Sequence, residues 1–230
     1  MTALALNPTP RIDIHTFGQD NQVLVVEDAL ANPEDLLASA HRDSFGAPPP
    51  NSWYPGLVAT LPDTYLNLLL RELRRPMAKV FDMPPDQRSA YYGFFGLATV
   101  RPDQMAPNQV APHTDTSRLH SFATVHYLSQ DHPGGTSFYR HKSTGLELIT
   151  PSVSAKFAFF RRQELAQCEG QPLSAVEDLY EEIFHIEPKF NRLILYRAGQ
   201  IHRSKLKPGA ALSSDPATGR LTANTFFNTE

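Results

Sequence analysis

The spacing of apolar positions changes character part-way along this chain. IDIHTF and NQVLVVED, near the start, are short, β-branched and apolar, the pattern of strands. ANPEDLLASAHRD then carries helix signals. Asn32 can cap, Pro33 suits the first helical position, and Glu34 and Asp35 favour the positive end of the dipole. LPDTYLNLLLRELRR repeats apolar residues at helical spacing, and Pro76 is expected to break or kink that helix. After MPPDQ the runs become aromatic and β-branched, separated by Gly, Pro, Asn and Asp: SAYYGFFGLATV, QVAPHTD, SFATVHYLS, GTSFYR, VSAKFAFF, NRLILYRAG and RLTANTFFN. One helical insertion is expected around SAVEDLYEEIFHI, near residues 163–185.

This succession predicts a mainly β fold with flanking helices (α+β), its core a sandwich or barrel such as a jelly roll. At 230 residues the chain is long enough for one domain with a full core. Residues 1–88 are expected to supply supporting strands and helices, and residues 89–230 the β-core.

Composition narrows the function classes. The formal charge is −3 and the basic residues are scattered, which argues against a nucleic-acid binder. A single cysteine, Cys168, excludes an intramolecular disulfide framework and makes cysteine-based structural zinc a poor reading. MTALALNPTPR lacks the basic start and long apolar core of a signal peptide, and no apolar run approaches the roughly 20 residues of a membrane span. A cytoplasmic protein without membrane partners is the expectation.

His-x-Asp, a pair able to hold a metal, occurs twice among nine histidines. His41 and Asp43 fall at the end of the first expected helix. Residues two apart on a helix point about 200° apart, so they cannot easily share an ion. His113 and Asp115 fall in or beside a strand, where residues i and i+2 project to one face. A third ligand is needed, and His202 follows the apolar strand RLILY and a turn at Gly199. On a neighbouring strand it can reach the first pair. Two imidazoles and one carboxylate leave open positions on an octahedral ion, the arrangement of non-haem iron(II) oxygenases. Arg220 and Thr222 share a face of the last strand, where a guanidinium matches a carboxylate bidentately. Lys205 and Lys207 are alternative clamps.

In order, PHTD, TVHYLSQDHPGGTSFYR, FNRLILYRAGQIHRS and GRLTANTFF resemble the iron(II)- and 2-oxoglutarate-dependent oxygenases, especially their prolyl 4-hydroxylase-like branch. The likeness covers residues 89–228, and NSWYPGLVATLP looks like a bacterial subfamily whose substrate is not established. The resemblance implies a double-stranded β-helix, cupin-like core. His113, Asp115 and His202 would hold Fe(II). Arg220 would hold the distal carboxylate of 2-oxoglutarate, with Thr222 and Tyr127 as polar neighbours. Many relatives carry the basic residue closer to the distal histidine, whereas Arg220 follows His202 by eighteen positions. The activity implied is hydroxylation of a C–H bond in a small molecule, amino acid or peptide. O2 is consumed, and succinate and CO2 are released. Oligomeric state stays open. Two other classes stay open beside it: a cupin-like metal enzyme that does not use 2-oxoglutarate, and a non-catalytic β-sandwich.

Other residues receive plainer expectations. Of the adjacent pair His126 and Tyr127, only one can face inward, and Tyr127 is favoured. His120, His132 and His141 are expected to be solvated, and Gly134-Gly135 to form a hairpin turn. Trp53, Tyr54, Tyr91, Tyr92 and Phe94 are expected to be mainly core, one or two lining a substrate mouth.

Overall fold

The computed structural model describes residues 4–50, 52–84, 89–130, 134–206 and 212–229. Its strands are β1 (Arg11–Phe17), β2 (Asn21–Glu27), β3 (Gly56–Thr60), β4 (Ser89–Ala98), β5 (Phe122–Tyr127), β6 (Gly134–His141), β7 (Tyr180–Ile186), β8 (Leu193–Arg197), β9 (His202–Leu206) and β10 (Arg220–Thr229). Its helices are α1 (Pro33–Arg42), α2 (Asp63–Phe81), α3 (Pro107–Val110), α4 (Pro151–Gln167) and α5 (Leu173–Glu177).

Among the described residues the strands form two antiparallel sheets. One runs β1-β2-β8-β5-β10-β4-β3 and the other β7-β6-β9. The larger sheet separates two apolar cores by simple alternation. Leu24 and Val26 of β2, with Leu193 and Leu195 of β8, point toward α1 and α2, where Leu36, Leu69, Leu73 and Met77 meet them. Val23, Val25, Ile194 and Tyr196 point the other way, against Phe138 and Ile186 of the smaller sheet. The molecule is therefore layered: helices, large sheet, small sheet. No helix among the described residues is long and apolar enough to cross a membrane.

Several elements depart from the sequence expectation. VSAKFAFF is not a strand but part of α4. Its apparent alternation is overridden by a Pro at the first helical position and seventeen residues free of internal Pro or Gly. YEEIFHI, expected in a helix, is β7, because its backbone completes β6 along the small sheet. The helix of that insertion is only the five-residue α5. Pro76 does not end α2, which runs on to Phe81. An internal proline costs about 3 kcal/mol. Burial of Leu73, Met77 and Phe81 on either side, at roughly 1.5–3 kcal/mol each, outweighs it. The Asn32 side chain does not cap α1, and instead donates to Asp35 at 2.8 Å. β3 and β9 had no counterpart among the expected strands.

Candidate metal and anion site

The backbone brings the two halves of the site together directly. His113 N–H donates to the carbonyl of His202, and His202 N–H to the carbonyl of His113, both at 2.9 Å. Asp115 N–H donates to Ala198 O at 2.9 Å. QVAPHTD, expected as a strand, is therefore the end of α3 followed by an irregular segment that a single bridge, His113 to His202, holds beside β9. Pro112 favours the extended backbone that starts it, and Ala111 is extended at φ −62°, ψ 127°. Gly199 permits the opposite approach, because a Cβ there would lie 2.6 Å from Ile149 O.

On this frame, ligand atoms of His113, Asp115 and His202 all lie within 4.8 Å of one another. The carboxylate of Asp115 is 3.7 Å from His202 Nε2 and 4.0 Å from His113 Nε2. These separations are too long for hydrogen bonds and leave an ion-sized gap. His202 Nδ1 lies 2.8 Å from Gln200 O. A carbonyl only accepts, so Nδ1 carries the proton and Nε2 keeps its lone pair facing the gap. The donor set fits a divalent transition metal. His41 and Asp43 lie at the C-terminal end of α1, outside this cluster.

Arg220, the first residue of β10, is 4% exposed. Its Nη2 donates to Gly135 O at 3.3 Å, while its Nε has no hydrogen-bond partner among the described residues. No carboxylate pairs with it among the described residues. Gly134 and Gly135 open β6 instead of turning a hairpin, with φ of +141° and +132°. A Cβ at Gly135 would meet Ile186 O at 2.1 Å, and one at Gly134 would meet Lys205 O at 2.2 Å. The glycines therefore allow the close strand packing that presents a carbonyl to the guanidinium.

Arg220, Thr222 and the three metal-capable side chains line one cavity of ≈ 1410 Å³. Ligand pockets commonly span about 300–1,000 Å³, so this volume has room for more than one small molecule.

Residues 8–227 match the family model described as a family of unknown function, DUF6445. The chain belongs to the DUF6445 family. No curated protein matches this DUF6445 chain in sequence. Among solved structures it is similar to HygX from Streptomyces hygroscopicus with iron bound, at 12% identity and TM-score 0.50, over 90% of this chain and 82% of HygX. It is also similar to EvdO2 from Micromonospora carbonacea var. aurantiaca complexed with 2-oxoglutarate. That match has 12% identity and TM-score 0.47, over 96% of this chain and 94% of EvdO2. At such identities the likeness to HygX is one of fold.

The remaining expectations sort clearly in the DUF6445 chain. Tyr127 does face the space between the sheets, but its hydroxyl is 2.7 Å from Thr136 Oγ1, and Thr136 stands on the cavity wall. Burial pushes the Tyr127 phenol up, opposed by the Thr136 hydrogen bond and the Arg220 charge. Thr222 faces Tyr127 in register and accepts from Asn224 Nδ2 at 3.0 Å. His126 is fully buried on the opposite face, between Tyr65 Oη at 2.9 Å and Asn191 Oδ1 at 3.1 Å.

His141 is not solvated. It is fully buried with Nε2 2.7 Å from Glu164 and Nδ1 2.8 Å from Thr144. His120 is half-buried, and His132 and Lys207 lie outside the described residues. Lys205 is engaged by Glu182 at 2.7 Å, which removes it as a clamp. Trp53, Tyr91 and Tyr92 are exposed instead of core, and Trp53 and Tyr92 line the cavity.

Tyr54, expected among the aromatics that are mainly core with one or two at a substrate mouth, lines the cavity beside Arg220. Its ring packs over Gly96, where a Cβ would lie 2.4 Å from the hydroxyl. That hydroxyl is buried without a hydrogen-bond partner among the described residues. Burial pushes the phenol up, and the nearby Arg220 charge and Thr222 hydroxyl oppose the shift. Only Gly96, at a strand position where a side chain would block the ring, hints at this placement in sequence.

Enclosure by the cavity walls, followed by the charges of His202, Arg161 and Arg203, holds His113 down at about 3. Its side chain is 49% exposed, so the enclosure is by a concave wall and not by packed atoms. The imidazole is neutral at ordinary pH, the form that binds metals. Burial raises the Asp115 carboxyl and His202 opposes the shift.

Proposed function

We propose that this chain is an iron(II)- and 2-oxoglutarate-dependent oxygenase of the prolyl 4-hydroxylase-like kind, with a double-stranded β-helix core. It hydroxylates a C–H bond of its substrate and releases succinate and CO2. The observation that carries this reading is Arg220. A buried guanidinium with an unpaired Nε opens into the same cavity as an uncommitted two-histidine, one-carboxylate set. An unpaired buried charge costs several kcal/mol, so its retention points to an anionic ligand that completes it. A cupin-like enzyme without this co-substrate gives Arg220 no such purpose.

His113, Asp115 and His202 would hold the iron, which when bound supplies O2 activation coupled to oxidation of 2-oxoglutarate. The chain's own groups do the rest. Gln200 O fixes the tautomer of His202. Arg220 takes the distal carboxylate of the co-substrate, with the Thr222 and Tyr54 hydroxyls beside it. Tyr127 holds Thr136 in place on the same wall. Tyr196 and Phe138 pack against the His202 ring at 4.8 and 6.5 Å and keep that side of the metal site apolar.

Anaerobic titration of the protein with Fe(II) and 2-oxoglutarate tests this, followed by succinate measurement on admitting O2. A visible metal-to-ligand absorption band is expected. In Arg220→Met, 2-oxoglutarate affinity should fall about 10- to 100-fold while metal affinity is kept, the worth of hydrogen bonds to a charged group. Unchanged 2-oxoglutarate affinity in that variant, or no band with folded wild-type protein, sinks the proposal.

A further inference from the structure

α4 has seventeen residues and buries only Phe157. A helix in a folded domain normally hides a stripe, so the other inward positions of this one need an explanation. Ser154, Phe157, Ala158, Arg161 and Leu165 follow helical spacing on one face, and all line the cavity. The stripe therefore faces the cavity more than protein.

The opposite wall is aromatic. Tyr92 and Phe226 stack at 4.9 Å with 18° between their planes, and Phe94 stacks on Phe226 at 5.9 Å. Tyr92 is 52% exposed and Trp53 is 60% exposed on the same cavity. Flat apolar surface is thus offered to whatever enters.

Charge is just as uneven. Among the described residues the cavity is lined by four arginines, Arg161, Arg162, Arg203 and Arg220, and one acidic residue, Asp115. Arg203 is answered by Glu177 at 3.0 Å and by Val110 O. A divalent ion, Asp115 and Arg220 together leave two positive charges, which dianionic 2-oxoglutarate cancels. Arg161 and Arg162 have no ion pair among the described residues. Arg161 also lies close enough to act electrostatically on both His113 and the Tyr180 phenol, which places it beside the metal-capable cluster.

We propose that the primary substrate is a small acid with a planar apolar body. Its anionic oxygens sit on Arg161 and Arg162, and its body lies against Tyr92, Phe226 and Trp53. This assignment rests on the oxygenase reading for what happens to the substrate, but the subsite itself is made of other residues. A carboxylate and a phosphate ester share the required chemistry, because the guanidinium fork serves both.

Trp53 is the one tryptophan of the chain, so its fluorescence reports the cavity. The test uses protein loaded with Zn(II) and 2-oxoglutarate, which cannot turn over. The probes are phenylacetate, 3-phenylpropionate, 4-phenylbutyrate and phenyl phosphate, each carboxylate being compared with its neutral amide. At least one acid should bind about 10-fold tighter than its amide, as a charge-assisted contact implies. In Arg161→Gln/Arg162→Gln the ratio should collapse to about 2-fold or less, and Arg161→Lys should keep part of it. Tightest binding of phenyl phosphate would assign the phosphate source, and tightest binding of a carboxylate the other. Equal binding of acids and amides, no binding by any probe, or discrimination untouched by the double variant overturns the inference. Calorimetry with Zn(II) and 2-oxoglutarate separates the two readings. Their binding without acid discrimination removes the subsite alone, and discrimination without their binding removes the oxygenase alone.

Discussion

Two buried polar groups on opposite faces of the seven-stranded sheet, His126 and Arg220, are treated in opposite ways, although the helix side also buries the cross-strand Thr124 and Thr225 hydroxyls without a partner among the described residues. On the helix side, His126 sits in a closed chain. Asn191 Oδ1 accepts from Leu30 N–H at 3.0 Å, so it is an oxygen, and it accepts from His126 Nε2 as well. His126 Nδ1 is then an acceptor, and Tyr65 donates to it. Asn191 Nδ2 completes the chain at Leu30 O, 2.9 Å away. On the cavity side, Arg220 Nε and Tyr54 Oη have no partner among the described residues, and the three metal-capable side chains face one another unbonded. A fully bonded buried network stabilises a fold, whereas an unmet buried donor costs free energy that a bound ligand can recover. The contrast gives His126 a structural place and leaves Arg220 a buried charge open to the cavity.

The largest test of that contrast is Asp115→Ala. Metal affinity by calorimetry with Ni(II) should fall at least about 100-fold, beyond the roughly 10- to 100-fold typical of changing an outer-shell partner. The metal-free protein should melt no lower than wild type, because this carboxylate has no hydrogen bond to lose. A drop of many degrees would mean that the open face is structural after all.

His126 gives the reciprocal case. Burial holds its imidazole down to about 4 from 6.5, with the Asn191 hydrogen bond opposing. Between those values the unfolded chain takes up a proton that the folded chain refuses. Stability therefore falls as pH drops from 6.5 to about 4, by up to about 3 kcal/mol, and falls no further from this group below that. Urea denaturation of wild type and His126→Gln across this window should differ in slope by that amount, with Ni(II) affinity at pH 7 unchanged. Parallel curves would dissolve the distinction between the faces.

The smallest effect belongs to Tyr54→Phe. Removing one neutral donor from the co-substrate's surroundings should weaken 2-oxoglutarate about 2- to 10-fold. Thermal stability should be unchanged or slightly raised, since the hydroxyl has no partner to lose. A destabilised variant with unaltered binding would place Tyr54 with the structural groups.

Much of this organisation was readable before the coordinates. β1, β2, β4, β5, β8 and β10 follow runs of β-branched and aromatic residues that only a sheet buries well, and α1 and α2 follow helical periodicity. His113, Asp115 and His202 stood out in the sequence by residue type and spacing, but they meet through one bridge and the Asp115 N–H to Ala198 O bond and not through a shared strand face. Elements with weak local signals were not legible. VSAKFAFF alternates well enough to pass for a strand, and α4 is settled by Pro151 and by what lies across the cavity. YEEIFHI reads as a helix until β6 offers it a hydrogen-bonding edge. His141 looks like a turn histidine until Glu164, twenty-three residues away, closes over it at 2.7 Å.

The chain's own order of residues determines the donor types, the strand periodicity and the close-packing glycines, because these depend on covalent chemistry and nearest neighbours. Which buried groups are satisfied and which are left open is decided only in the tertiary structure. Hydrogen bonding and desolvation are properties of atoms that meet in space. Arg220 is an ordinary arginine in the sequence, and becomes a buried, unpaired charge only where β10 carries it beside β6 with no carboxylate in reach among the described residues.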